Sequence, residues 1–139
     1  MNDRDRARGE ERDRGLAALI LRVFAGLALA LAHGIDKMPP SDAFVGAVAG
    51  MGFPSPESFA WAAGIAELAG GLLLAIGLLT RPAAILIAIT MLVAAFLGEA
   101  GNPFSDREPA LLFAAIAIYF VLAGPGRYSV DGWLRARRF

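Results

Sequence analysis

Apolar residues fall in four long stretches, Leu16–Ala32, Phe59–Leu79, Ala83–Gly98 and Ala110–Ala123, separated by short charged or Pro/Gly-rich segments. A helix rises about 1.5 Å per residue, so each stretch with its flanks approaches the roughly 30 Å of a bilayer's hydrocarbon core. The pattern predicts an all-α integral membrane bundle of four transmembrane helices, with spans at about 16–37, 57–79, 82–98 and 108–123 of a membrane domain covering 16–139. Residues 1–15 are charged throughout and read as a poorly ordered tail.

Between the spans, turn chemistry marks the boundaries. Met38-Pro39-Pro40 stops the first helix. Ser41 then offers an N-cap, and Phe44, Val45, Val48 and Met51 come after it at helical spacing, predicting a short interfacial helix over Asp42–Ala49. The very short link around Thr80-Arg81-Pro82 makes the second and third spans antiparallel neighbours. The fourth helix is expected to start near Arg107–Pro109, with the proline in its first turn. Gly124-Pro125-Gly126 ends it, and Ser129 caps a last helix with Val130, Trp133 and Leu134 on one side and Arg135, Arg137 and Arg138 on the other, an amphipathic foot.

Composition agrees with burial in lipid: 57% of residues are hydrophobic and the formal charge is zero, which leaves no basic field for nucleic acid. The cations are distributed unevenly. Arg4, Arg6, Arg8, Arg12, Arg14, Arg81, Arg127, Arg135, Arg137 and Arg138 fall on one side, and Lys37 and Arg107 on the other. Positive residues stay cytoplasmic, so both termini are expected there. Ala30-Leu31-Ala32 resembles a signal-peptidase site, but the leading segment lacks net positive charge and Arg22 interrupts the apolar run, so no cleavage is expected. The absence of cysteine excludes a disulfide framework, a thiol redox pair and thiolate metal ligands within the sequence. The many glycines of the second span read as helix-packing residues.

An ionisable group in hydrocarbon costs at least about 2.5 kcal/mol and so needs a partner, a route to the interface or a function. Counting along the helices places His33, Asp36, Lys37, Glu99 and Glu108 near the outer boundary, with Glu67 roughly 12 Å below it. At about 100° per residue, Arg22, His33, Asp36 and Lys37 share one face of the first helix, which is expected to look inward at Glu67. Glu67 is then either protonated and hydrogen-bonded or paired with His33, Lys37 or Arg22. His33, Lys37, Glu67 and Glu99 form the candidate ligand or proton site, since a histidine beside a carboxylate can bond a quinone carbonyl or relay a proton. Arg22, Asp36, Arg81 and Asp131 read as structural ion-pair residues, Arg22 either snorkelling to the headgroups or pairing with Asp131. No metal site is expected.

Arg22 and then Gly34-Ile35-Asp36-Lys37-Met38, next Glu67-Leu68-Ala69-Gly70-Gly71 with Gly77 and Thr80-Arg81, and finally Gly124-Pro125-Gly126 before Ser129-Val130-Asp131, together resemble the DoxX family in motif content and order. The resemblance covers about residues 16–132 and carries Arg22, Lys37, Glu67, Arg81 and Asp131. It implies a multi-pass protein of the bacterial inner membrane, related to a subunit linked to thiosulfate:quinone oxidoreduction, to members that partner redox enzymes, and to distant relatives that assist membrane-protein assembly.

Three function classes are compatible with these residues. The first is a membrane subunit of a quinone-linked redox assembly, with no intrinsic cofactor and a quinone or other lipid-soluble ligand at the polar cluster. The second is a non-catalytic assembly or interaction protein that binds a partner or another copy of itself. The third is a small proton-coupled transporter, which the lack of an inverted repeat disfavours.

Overall fold

A computed structural model describes residues 2–138. Helix α1 spans Asp3–Leu29 and runs on through a π-helical turn, Ala30–Gly34, and a 3-10 turn, Ile35–Lys37. Then come α2 (Asp42–Gly50), α3 (Pro56–Ile76), α4 (Thr80–Val93) with a π-helical end at Ala94–Gly98, α5 (Phe104–Ala123) and α6 (Val130–Ala136). No strand occurs among the described residues. Helix α3 packs between α1 and α4, α5 lies along α4, and α2 rests on α3.

Local chemistry explains these boundaries. Ser41 caps α2, its hydroxyl accepting from the Phe44 amide at 3.2 Å, and Ser129 caps α6, accepting from the Gly132 amide at 3.0 Å. Gly77 ends α3 in the left-handed conformation, φ 73°, a geometry that glycine adopts without the steric cost of a Cβ. Helix α1 meets α3 nearly backbone to backbone: a Cβ on Gly26 would stand 2.5 Å from the Gly71 carbonyl oxygen, and one on Gly71 would stand 2.7 Å from that of Gly26. In lipid such small-residue contacts replace the hydrophobic force between helices. The core gathers Leu29, Leu74, Ile87, Met91, Ala117 and Phe120.

Three of the helices, Asp3–Lys37, Pro56–Ile76 and Thr80–Gly98, are long and apolar enough to cross a membrane. The fourth expected span differs. α5 begins at Phe104, earlier than Arg107, with Pro103 as its cap residue and Pro109 inside the helix. Asp106, Arg107 and Glu108 therefore occupy its first two turns. They leave an apolar part of about 22 Å, Pro109–Ala123, shorter than the hydrocarbon core.

The charged N-terminal segment also departs from expectation. It is helical from Asp3, continuous with the first span, capped by the Asn2 side chain and carrying an i,i+4 pair between Glu10 and Arg14. Alternating acids and arginines remove the like-charge repulsion that would otherwise keep such a segment open. Ile20 and Phe24 on α1 and Leu122 on α5 are more than two-thirds exposed (68%, 74% and 75%), an apolar outer surface suited to acyl chains.

Candidate functional site

Glu67 sits in the middle of α3 and is 1% exposed. Its position opposite the end of α1 is set by two glycines. A Cβ on Gly34 would lie 2.5 Å from the Leu68 nitrogen, and one on Gly64 would lie 2.9 Å from the Lys37 carbonyl oxygen. With the backbones this close, the Lys37 side chain reaches across, and its ammonium donates to Glu67 Oε1 at 2.6 Å. The same ammonium lies 5.3 Å from the centre of the Phe44 ring, a cation–π contact with α2. Glu67 Oε2 is buried and has no hydrogen-bond partner.

Beside this pair is a cavity of about 290 Å³ between α2, α3 and α4. Its wall is apolar, with Phe44 and Val48 from α2, Phe59 and Ala66 from α3, and Leu86 and Ile89 from α4. Lys37, Glu67 and Thr90 are the polar or charged residues that line it. Phe59, Leu86 and Ile89 are 42%, 54% and 55% exposed, so the cavity is reached from the flank of the bundle between α3 and α4. Thr90 donates its hydroxyl proton to the Leu86 carbonyl at 2.8 Å and presents only lone pairs.

The other sequence candidates lie elsewhere. His33 is exposed and stands edge-on to Phe113 of α5, ring centres 5.7 Å apart. Asp36 is also exposed. The expectation of one charged face on α1 assumes an unbroken α-helical phase. The π-helical turn Ala30–Gly34 carries extra residues per turn and rotates the residues beyond it, so Arg22 and Lys37 face inward while His33 and Asp36 do not. Glu99 lies just past the π-helical end of α4, where its carboxylate accepts from the Asn102 side chain, away from the cavity wall. Arg107 is not a sequence candidate, yet its Nε donates to the Ala95 carbonyl at 3.1 Å, at the π-helical end of α4. No sequence signal marks that turn. No cluster of metal-ligating side chains occurs among the described residues.

At the opposite end of the bundle Arg22 is fully buried. It neither snorkels nor forms an ion pair. Nη1 donates to the Leu74 carbonyl at 3.3 Å and Nη2 to the Tyr128 carbonyl at 2.6 Å. Asp131 accepts from the Leu79 and Thr80 amides at 2.9 Å each, where the first amides of α4 have no helical partner. Burial pushes the Asp131 carboxyl up, but the hydrogen bonds from Thr80 and Leu79 and the charge of Arg135 outweigh it and hold the group below its ordinary value. The expected direct pairing between Arg22 and Asp131 gives way to backbone partners, with Asp131 acting on Arg22 only through its charge, since helix ends offer fixed carbonyls and amides at the positions these charges reach. Arg81 is exposed, and a Cβ on Gly124 would lie 3.5 Å from its Nη2. The ion pairs among the described residues are Glu10–Arg14 and Lys37–Glu67.

An all-helical protein with long lipid-suited helices, a buried Lys–Glu pair and an apolar cavity beside it defines a membrane protein with an internal polar site. The sequence matches the DoxX family over residues 17–100, and the chain belongs to that family. Over 137 residues it is 31% identical to an uncharacterized membrane protein of Mycobacterium tuberculosis, with 87% of this chain and 83% of that protein covered. It is 29% identical over 117 residues to a Bacillus subtilis protein named "Putative oxidoreductase CatD", covering 84% and 85% of the two chains. An uncharacterized Haemophilus influenzae protein is 37% identical over 76 residues, 50% of this chain and 57% of that one. No solved structure matches.

Proposed function

We propose that this protein is a membrane subunit of a quinone-linked redox assembly, and that the cavity between α2, α3 and α4 holds the quinone ring. One observation carries the reading: an apolar cavity of about 290 Å³, open on the flank of the bundle, has a buried carboxylate oxygen without a partner beside it. An ion pair with its carboxylate buried adds little net stability, so its presence beside a cavity calls for a use. The likeness to a relative named as an oxidoreductase points the same way. The residues fit such a group: Phe44, Phe59 and Ile89 would flank the ring, and Lys37 and Glu67 would meet its oxygens. The quinone supplies a two-electron, two-proton couple when bound. A partner redox protein supplies the electrons, while Glu67 Oε2 accepts from the ring and Lys37 keeps the carboxylate oriented.

The assembly lies in the bacterial inner membrane. Helix α5 completes a fourth span by packing its apolar part along α4, and both termini face the cytoplasm, the side carrying most arginines. The full chain extracted in mild detergent is expected to carry quinone detectable by mass spectrometry, and Glu67→Gln to lose it. Wild-type protein free of quinone overturns the assignment.

A second reading, an interaction protein without chemistry, draws on the exposed apolar stripe Ile20, Phe24, Leu31 and Ile35 of α1. A membrane partner retained by Glu67→Gln, with no quinone in the wild type, establishes it instead.

A further inference from the structure

We propose that the cavity is selective for hydroxyl-bearing rings, taking the reduced, dihydroxy form of a quinone in preference to the oxidised, dicarbonyl form. The proposal rests on the reading of the cavity as a quinone-class site and adds the redox state it prefers.

The hydrogen-bonding inventory of the wall is lopsided. Glu67 Oε1 is taken by Lys37 at 2.6 Å, and Oε2 is buried with no partner. An ionised carboxylate only accepts. Thr90 has one proton and spends it on the Leu86 carbonyl at 2.8 Å, so its oxygen also only accepts. The one donor group on the wall, the Lys37 ammonium, gives one N–H to Glu67 and faces the Phe44 ring, and keeps a further N–H for a ring oxygen. Oε2, the atom left without a partner, therefore calls for a donor. A ring hydroxyl supplies one. A ring carbonyl can accept from Lys37 but leaves Oε2 buried and unsatisfied, whereas a ring hydroxyl can accept from Lys37 and donate to Oε2.

Size and access agree with this. The cavity holds a single substituted ring, and its flank opening admits one from the lipid. A hydrogen bond to a charged acceptor is strong enough to separate the two forms by about tenfold or more in affinity. By linkage, a tenfold tighter grip on the reduced form raises the midpoint potential of a two-electron couple by ~30 mV. The bound ring is then easier to reduce than the free one.

The test uses the full chain in lipid nanodiscs and equilibrium dialysis under anaerobic conditions. The probes are duroquinone, duroquinol and the dimethyl ether of duroquinol, which has the same ring and no donor. Duroquinol is expected to bind at least about tenfold tighter than either of the others. Glu67→Gln, whose amide both donates and accepts, is expected to weaken duroquinol to the level of the other two, leaving all three within about threefold and too weakly held to survive extraction. Thr90→Val, which removes a second acceptor without touching the ion pair, is expected to narrow the gap about two- to threefold. This variant keeps the question open to refutation if Glu67→Gln does not fold. Equal binding of the three probes overturns the selectivity and leaves the quinone-class site standing. Preference for duroquinone also overturns it, and shows that Glu67 carries its proton and donates. Failure of every probe to bind overturns the site itself.

Discussion

Two charges are buried at opposite ends of this bundle, and they are treated differently. Arg22 is wedged among fixed carbonyls with only its Nε left unpartnered, so tightly that a Cβ on Gly77 would stand 1.9 Å from its Nη1. Glu67 has one mobile partner, one free oxygen and a cavity alongside. A charge that closes a fold is gripped by backbone, which cannot move away. A charge kept for chemistry is held by a side chain that can yield, with space beside it. Arg22 thus reads as a clamp that ties α1 to the end of α3 and to the C-terminal loop, while Glu67 is the working group of the proposed function.

The sharpest way to break this contrast is to remove the clamp. Arg22→Met leaves the Leu74 and Tyr128 carbonyls without their donor and is expected to cost about 3 kcal/mol, read as a lower thermal midpoint in detergent. If the variant is as stable as wild type but loses quinone, the roles of the two ends are reversed. Next in size is the α1–α3 contact: Gly71→Ala sets a Cβ against the Gly26 carbonyl and is expected to destabilise by about 1–3 kcal/mol, by the same measurement. Glu67→Gln is expected to change stability by less than about 1 kcal/mol, because Lys37 is partly exposed and can turn outward, so no uncompensated charge stays buried. It should nevertheless abolish quinone retention, and a large loss of stability would make Glu67 a second clamp.

The smallest effect is in pH. Asp131 is held below its ordinary value, so its contribution is fully present above the unfolded value near 4 and is lost as pH falls through the lower folded value. Asp131→Asn should flatten the acid limb of the stability curve below about pH 4 and leave neutral-pH quinone binding unchanged. Thermal midpoints between acid and neutral pH check the first half, and quinone retention at neutral pH the second.

Much of this architecture is legible in the chain. Ser41 and Ser129 announce α2 and α6, and each caps as expected. Glycines mark α3 as the helix that others approach closely, and Glu67 stands out because no short side chain at that depth reaches an interface. The part hidden from the sequence is rotational. The turn Ala30–Gly34 carries no proline, yet its π-helical winding turns His33 away from the site and leaves Lys37 on it. Arg22 and Asp131 sit near enough to suggest a pair, but hydrogen bonds to backbone groups cannot be seen in residue types. The cavity wall from α2 depends on how a surface helix folds back onto α3 and α4, a tertiary fact with no local signature.

The unbroken course of α1 has a mechanical consequence. From Gly15 back to Asp3 the helix projects about 18 Å past the level at which the apolar stretch begins. Its alternating charges hold that post in water, and its axis is inherited from the span to which it is joined. A probe attached at Asp3 would therefore report the tilt of the first span, as a rod does, and any protein grasping the post would gain leverage on the helix end that carries Lys37.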